Sequence, residues 1–161
     1  MQTKGKNICV ITGGSSGIGL AAAKEIGKTH YIIICGRNLS KLEDAILELK
    51  FHGVECEAFS CDVSDKDSVR SLVQRAVEIG EIQSLIHSAG MSPQMGNAET
   101  IMKINALGTI NLNNEFLKVM KHGSCIVNVS SISAYMLPEI ILPKRAYAYC
   151  FYDEEGFFRK M

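Results

Sequence analysis

The strongest chemical pattern in this 161-residue chain is Thr12-Gly-Gly-Ser-Ser-Gly-Ile-Gly19. It follows a short apolar run at 8–11 and opens a helical pattern at 18–28, so its glycines fall in a strand-to-helix turn. In such a turn Gly13 can bend where a side chain would clash, Gly17 lets the backbone approach a pyrophosphate, and Gly19 lets the helix pack against the sheet. The free N–H groups of the first helical turn and the positive end of its dipole then face the phosphates, with Thr12, Ser15, Ser16 and Ile18 completing the loop. A nucleoside-triphosphate loop does not fit, because Ile18-Gly-Leu20 stand where Lys and Ser or Thr would follow the last glycine. The plain alternative is a glycine turn that serves structure alone.

A second group of residues ends the second apolar run: Gly36-Arg37-Asn38. A dinucleotide site selective for NAD carries an acidic residue near this point to bind the ribose 2′-OH. Gly36 leaves room there instead, and Arg37 offers a planar, permanently charged partner for a 2′-phosphate. NADP (NADPH) is therefore the expected cofactor, ahead of NAD. A solvated Arg37 with no ligand is the competing reading.

These residues need a scaffold that brings strand ends together. Apolar runs at 8–11, 31–35 and 54–59 alternate with helical patterns at 18–28 and 39–52, a β-α-β-α-β order. The first two runs are continuously apolar, as strands covered on both faces by crossover helices must be. The chemistry thus sits on an α/β fold, a doubly wound parallel sheet of the Rossmann-like kind with about five strands. Ser64 and Asp67 suggest a capping box for a helix whose apolar stripe is Val69, Leu72, Val73 and Val77. A fourth strand is expected at 84–87, a long helix at 99–122 closed by Gly123, and a fifth strand at 125–129. Pro138 and Pro143 then interrupt the pattern. Residues 1–134 are expected to form the NADP-binding domain, and 135–161 an irregular, aromatic-rich insertion or lid segment that is cut short.

The order of motifs resembles the short-chain dehydrogenase/reductase family over residues 7–134. Thr-Gly-x-x-x-Gly-x-Gly has that family's spacing. Asp62-Val63 is similar to its adenine-contacting segment, Ala89-Gly90 to the end of its Asn-Asn-Ala-Gly motif, Asn105 to its helix asparagine, and Asn128-Val-Ser-Ser131 to the segment with its catalytic serine. The resemblance implies an NADP-dependent oxidoreductase acting on a small-molecule carbonyl or alcohol. Ser131 would bind the reacting oxygen, Asn105 would help hold a proton-relay water, and Asp62, Val63, Ser88, Ala89 and Gly90 would contact the cofactor. Ser130 competes with Ser131 for the serine role. Asp62 as a turn former, Asn105 as a surface amide and Ser131 as a loop hydroxyl are the plainer alternatives.

Two departures from the family pattern stand out. His87-Ser88 replaces the two asparagines, and the loop at 91–99 is short. The family also uses a Tyr with a Lys four residues later, whose ammonium lowers the phenol pKa. Here Tyr31, Tyr135, Tyr147, Tyr149 and Tyr152 are followed at that spacing by Cys35, Glu139, Phe151, Asp153 and Gly156. A C-terminally incomplete fold, inactive by itself, is the expectation; a non-catalytic NADP-binding sensor or scaffold is the rival.

Composition limits the remaining choices. Seventeen basic and seventeen acidic residues cancel, so no overall field recruits nucleic acid or an acidic membrane. The six cysteines are scattered without metal-ligand spacing, and read as small hydrophobes of a reducing cytoplasm. No metal is expected; a homo-oligomer is expected for the complete enzyme.

Overall fold

Isoleucine, valine and cysteine fill the two central strands, and their burial on both faces decides the architecture. The computed structural model describes residues 7–132, 136 and 144–160. Strand β1 (Asn7–Thr12) leads through the glycine loop into helix α1 (Gly17–Ile26), followed by β2 (Tyr31–Gly36), α2 (Leu39–Phe51) and β3 (Cys56–Ser60). Helix α3 (Lys66–Ile79) crosses to β4 (Glu81–His87), and β5 (Cys125–Asn128) lies beyond it. All neighbours are parallel in the order β3-β2-β1-β4-β5. This is the doubly wound, Rossmann-like sheet, with the direction of winding reversed between β1 and β4.

Alternate residues of β1 serve opposite layers. Ile8 and Val10 join the core formed with α3 and Phe116, whereas Cys9 and Ile11 pack with Ala23, Leu42 and Leu49 of α1 and α2. Continuous apolar runs are the outcome of that two-sided burial. Strand β5 differs: Cys125, Val127 and Asn128 are exposed, and it forms one end of the described sheet.

Several boundaries differ from the sequence expectation. The cap of α3 is Asp65, whose carboxylate accepts from the Asp67 amide at 2.9 Å, while Ser64 bonds Asp62 instead. The buried stripe of α3 includes Ala76 and Ile79, and Val77 is 46% exposed, because residue 77 falls off the face defined by 69, 72, 73 and 76. Strand β4 starts at Glu81, three residues earlier than its apolar core suggested. The long helix is built in pieces. Helix α4 (Ala98–Met102), capped by Asn97, continues as a π-helical turn at Lys103–Leu107 and then as α5 (Gly108–Leu117). It ends before Gly123 because the chain must return to the sheet: Ser124 Oγ donates to the Ile82 carbonyl at 3.0 Å, fixing the start of β5 beside β4.

The described part of the tail is helical rather than irregular. Helices α6 (Lys144–Tyr149) and α7 (Glu154–Lys160) meet through Asp153, which receives the Gly156 amide at 2.8 Å. Phe157 is fully buried between the Tyr147 and Phe158 rings, and burial of that aromatic side chain stabilises the hairpin. Glu154 lies 3.6 Å from Lys66, and Lys103 sits over the Phe158 ring. Tyr135, Pro138 and Pro143 lie outside the described residues.

Phe116 tests this layer arrangement. Phe116→Ala is expected to cost about 3–5 kcal/mol of unfolding free energy through the cavity it leaves, whereas Leu47→Ala on the exposed face of α2 should change it by less than about 0.5 kcal/mol. Urea unfolding of both variants measures the contrast.

Candidate functional site

The carboxyl ends of β1, β2, β3 and β4 surround a cleft of about 340 Å³ at the point where the winding reverses. Open α/β sheets bind their ligands at such a switch point. One wall is the glycine loop, with Gly13, Ser16, Gly17, Ile18 and Gly19; Gly36 and Arg37 stand at the end of β2. Asp62 and Val63 follow β3, and Ser88, Ala89 and Gly90 follow β4. Of the expected cofactor residues, only Thr12 and Ser15 are not among those lining the cleft.

Three of the four loop glycines, Gly13, Gly17 and Gly19, are glycine for different physical reasons. Gly13 has φ +66°, and a Cβ there would come within 2.9 Å of the Ala89 amide nitrogen. Gly19 has no room either: its Cβ would meet Ser88 Oγ at 2.6 Å, so it allows α1 to approach the end of β4 as well as the loop. Gly17 has φ +53°, yet a Cβ would meet nothing within 4 Å. Its left-handed backbone is a conformational requirement, and the space in front of it is open. The Ser16 side chain makes no cap bond, and no acidic residue lies in the first turn of α1. The amides and dipole of that turn are therefore left available to an anion.

Thr12 acts from beneath the cleft. Its hydroxyl accepts from the Ala89 amide at 3.2 Å and lies 2.7 Å from His87 Nδ1. His87 Nε2 is 3.0 Å from the Thr109 hydroxyl, which donates to the Asn105 carbonyl at 2.8 Å. Directions follow by elimination. Thr109 spends its proton on Asn105 and accepts from Nε2–H, leaving Nδ1 to accept the Thr12 proton. Burial lowers the His87 pKa from 6.5 to about 4, matching this neutral form. Ser88 adds a 2.7 Å bond to the Thr12 carbonyl. His87 and Ser88 thus join the ends of β1 and β4 to the start of α5, which Thr109 ties to Asn105 in the π-helical turn.

The remaining expected residues are placed as follows. Asp62 Oδ1 accepts from the Ser64 amide and hydroxyl, so it forms the turn after β3 while also lining the cleft. Val63 is held from α5: Asn111 donates to its carbonyl at 3.1 Å, and Gly108 provides the space against it. Arg37 is exposed and has no ion pair among the described residues. The Asn105 amide clamps Met91, accepting from its N–H at 2.8 Å and donating to its carbonyl at 2.9 Å. Ser131 is exposed, three residues beyond β5; neither it nor Asn105 is among the cleft-lining residues. The structure adds Cys35, Cys61, Met91 and Ile104 to the lining. Their positions at or just beyond carboxyl ends of strands, or in the helix facing them, were the available signal, but apolar character made them look like core.

The fold and cleft define a dinucleotide-binding α/β protein. The chain belongs to the short chain dehydrogenase family, whose pattern matches residues 7–141. It is 28% identical over 141 residues to carbonyl reductase [NADPH] 1 of Homo sapiens, covering 81% of this chain and 51% of that protein. The structure of actinorhodin polyketide ketoreductase with NADPH is similar at 25% identity and a TM-score of 0.73, covering 91% of this chain and 58% of the other. A family member from Burkholderia phymatum in complex with NAD has the same fold, at 23% identity and a TM-score of 0.74, covering 86% of this chain and 53% of the other. The chain spans about half the length of the curated relatives it matches.

The neutral His87 makes the fold acid-sensitive. Its folded pKa of about 4 lies below the unfolded value of 6.5, so its stabilising contribution is full above 6.5 and is lost as pH falls toward 4. His87 should account for about 3 kcal/mol of the loss between pH 7 and pH 4. Denaturant unfolding across this range should show that slope in the unmodified chain and a shallower one in His87→Asn.

Proposed function

We propose that the cleft binds NADP(H) and belongs to an oxidoreductase that acts on a carbonyl or alcohol carbon. The observation that carries this reading is the open space before Gly17 together with the uncapped start of α1. A cradle of amides with positive dipole and no side chain in the way fits a pyrophosphate. Gly36 supports the 2′-phosphate assignment, since a Cβ there would meet only Leu42 Cδ2 at 3.9 Å, and the neighbouring Arg37 lines the same cleft. When bound, the nicotinamide supplies or accepts the hydride.

The chain's own residues then have distinct tasks. Gly13, Gly17 and Gly19 admit and hold the pyrophosphate, Arg37 neutralises the 2′-phosphate, and Asp62 with Val63 forms the adenine side of the cleft. Ser88, Ala89 and Gly90 border the opposite side. Ser131 would hydrogen-bond the reacting oxygen, and Asn105 would contribute to the proton path. No Tyr-x-x-x-Lys pair occurs in the sequence. We therefore expect the 161-residue chain to bind cofactor without turnover at an enzymatic rate, since positioned general acid catalysis contributes roughly 10²–10⁴-fold. Carbonyl reduction by this chain would require another proton donor, with Tyr147 and Tyr149 the first to replace.

Gly17→Ala should still fold, its Cβ entering open space at a cost of about 1–2 kcal/mol for the left-handed backbone, yet lose at least about tenfold in NADPH affinity, equivalent to roughly 1.4 kcal/mol. Unchanged affinity in the folded variant overturns the phosphate-loop reading. Arg37→Asp should lower NADPH affinity about ten- to a hundredfold and improve NADH relative to it, through loss of one charge-assisted contact and repulsion of the 2′-phosphate. Fluorescence titration with both cofactors measures the ratio, and an unmoved ratio would leave Arg37 as a surface residue.

A further inference from the structure

The helical segment after β4 is interrupted beside the cleft, where Lys103–Leu107 form a π-helical turn between α4 and α5. A turn of this kind closes its hydrogen bonds five residues apart, so it re-aims the side chains within it. Two of its residues bear on the cleft. Ile104 lines it, and the Asn105 amide holds Met91, which lines it too. Asn105 is exposed, and a hydrogen bond open to water is exchanged for water at little net cost. The clamp on Met91 therefore lasts only where the backbone of the turn already places the amide opposite it.

What fixes that backbone lies underneath. Thr109 turns its hydroxyl back to the Asn105 carbonyl at 2.8 Å, a bond to the residue four earlier of the sort that bends helices. His87 Nε2 meets the same hydroxyl at 3.0 Å, and the buried imidazole is itself held through Nδ1 by the Thr12 hydroxyl at 2.7 Å. Breaking a buried bond strands a polar group away from water, so this end of the line is the stiff one. The rest of α5 is secured separately: Asn111 donates to the Val63 carbonyl at 3.1 Å, and Leu112 and Phe116 are fully buried. The bond between His87 and Thr109 thus bears on the π-helical turn rather than on α5 as a whole.

We propose that His87 and Thr109 are positioning residues of the cofactor cleft: through the Asn105 carbonyl they hold the π-helical turn in the setting that presents Ile104 and the clamped Met91 to the cleft. This rests on the cofactor reading above. Neither side chain is among those lining the cleft, so their effect reaches NADP(H) through the wall and not by contact. The other end of the line, Thr12, leads directly into Gly13. The glycine loop and the Met91 wall are therefore joined through one buried imidazole.

The test measures amide hydrogen exchange by NMR in the 161-residue chain, with Met91 as reporter because Asn105 Oδ1 accepts its N–H. Thr109→Val keeps the shape and removes the hydroxyl. His87→Asn keeps an amide near the Nδ1 position, within reach of Thr12, and gives up the reach to Thr109. The two variants act at opposite ends of one bond, so either one that folds decides. Each should speed Met91 exchange at least about tenfold, while the Ile32 amide at the amino end of β2, bonded to the Glu55 carbonyl, exchanges as before. Each should also lower NADP⁺ affinity at least about threefold, with Thr109→Ser close to the unmodified chain in both measurements. Unchanged Met91 exchange overturns the proposal, as does a loss that serine does not restore. Faster exchange at Ile32 as well would make the pair a general stabiliser, and unchanged NADP⁺ affinity beside a freed Met91 would leave the wall without influence on the cofactor; either result also overturns it. A chain that binds no NADP⁺ in any form removes the cofactor reading, and Met91 exchange then still decides whether the pair sets the wall.

Discussion

Thr12 and His87 meet at the carboxyl ends of the two strands that flank the switch point, and the walls of the cleft depend on that meeting. The parallel pairing of β1 with β4 aligns Thr12 with His87 residue for residue. The threonine hydroxyl receives the Ala89 amide, the threonine carbonyl receives Ser88, and the imidazole reaches Thr109 on the far side. Buried polar groups are costly unless paired, so this chain of bonds leaves little freedom in where the β4 loop can stand relative to the glycine loop.

The glycine loop fits into the space this junction leaves. Gly13 and Gly19 are small because backbone and Ser88 occupy the space a side chain would need. Gly17 is glycine for its left-handed backbone, with open volume in front of it. Packing thus accounts for Gly13 and Gly19, and backbone conformation for Gly17. The same economy governs the opposite wall, where Gly108 and Asn111 of α5 hold the segment after β3 in place.

Away from the cleft the molecule is less completely covered. Strand β5 carries Val127 at 48% exposure, and Ile126 is only half-buried. Asn113 Oδ1 is buried without a hydrogen-bond partner among the described residues, in the same groove between α5 and β5. The α6–α7 hairpin lies elsewhere, meeting the start of α3 through Lys66 and the π-helical turn through Lys103.

Local pattern was enough for the order of strands and helices, for two-sided burial of β1 and β2, and for a glycine-rich turn between β1 and α1, because those depend on period, glycine placement and neighbours within a few residues. Ends of elements were less legible: α5 stops where Ser124 must reach Ile82, and the cap of α3 moves to Asp65 because Asp62 takes Ser64 for its own turn. The tail looked irregular because the burial of Phe157 is set by tertiary packing. The contacts that hold the cleft's walls together were decided by tertiary structure. Thr12 meets His87 because the crossovers return the chain to the same end of one sheet, and Asn105 meets Met91 because the helix after β4 folds back over the loop that precedes it. No periodicity in the sequence records which distant side chains share a hydrogen bond, since that depends on register and on the geometry of the connections between strands.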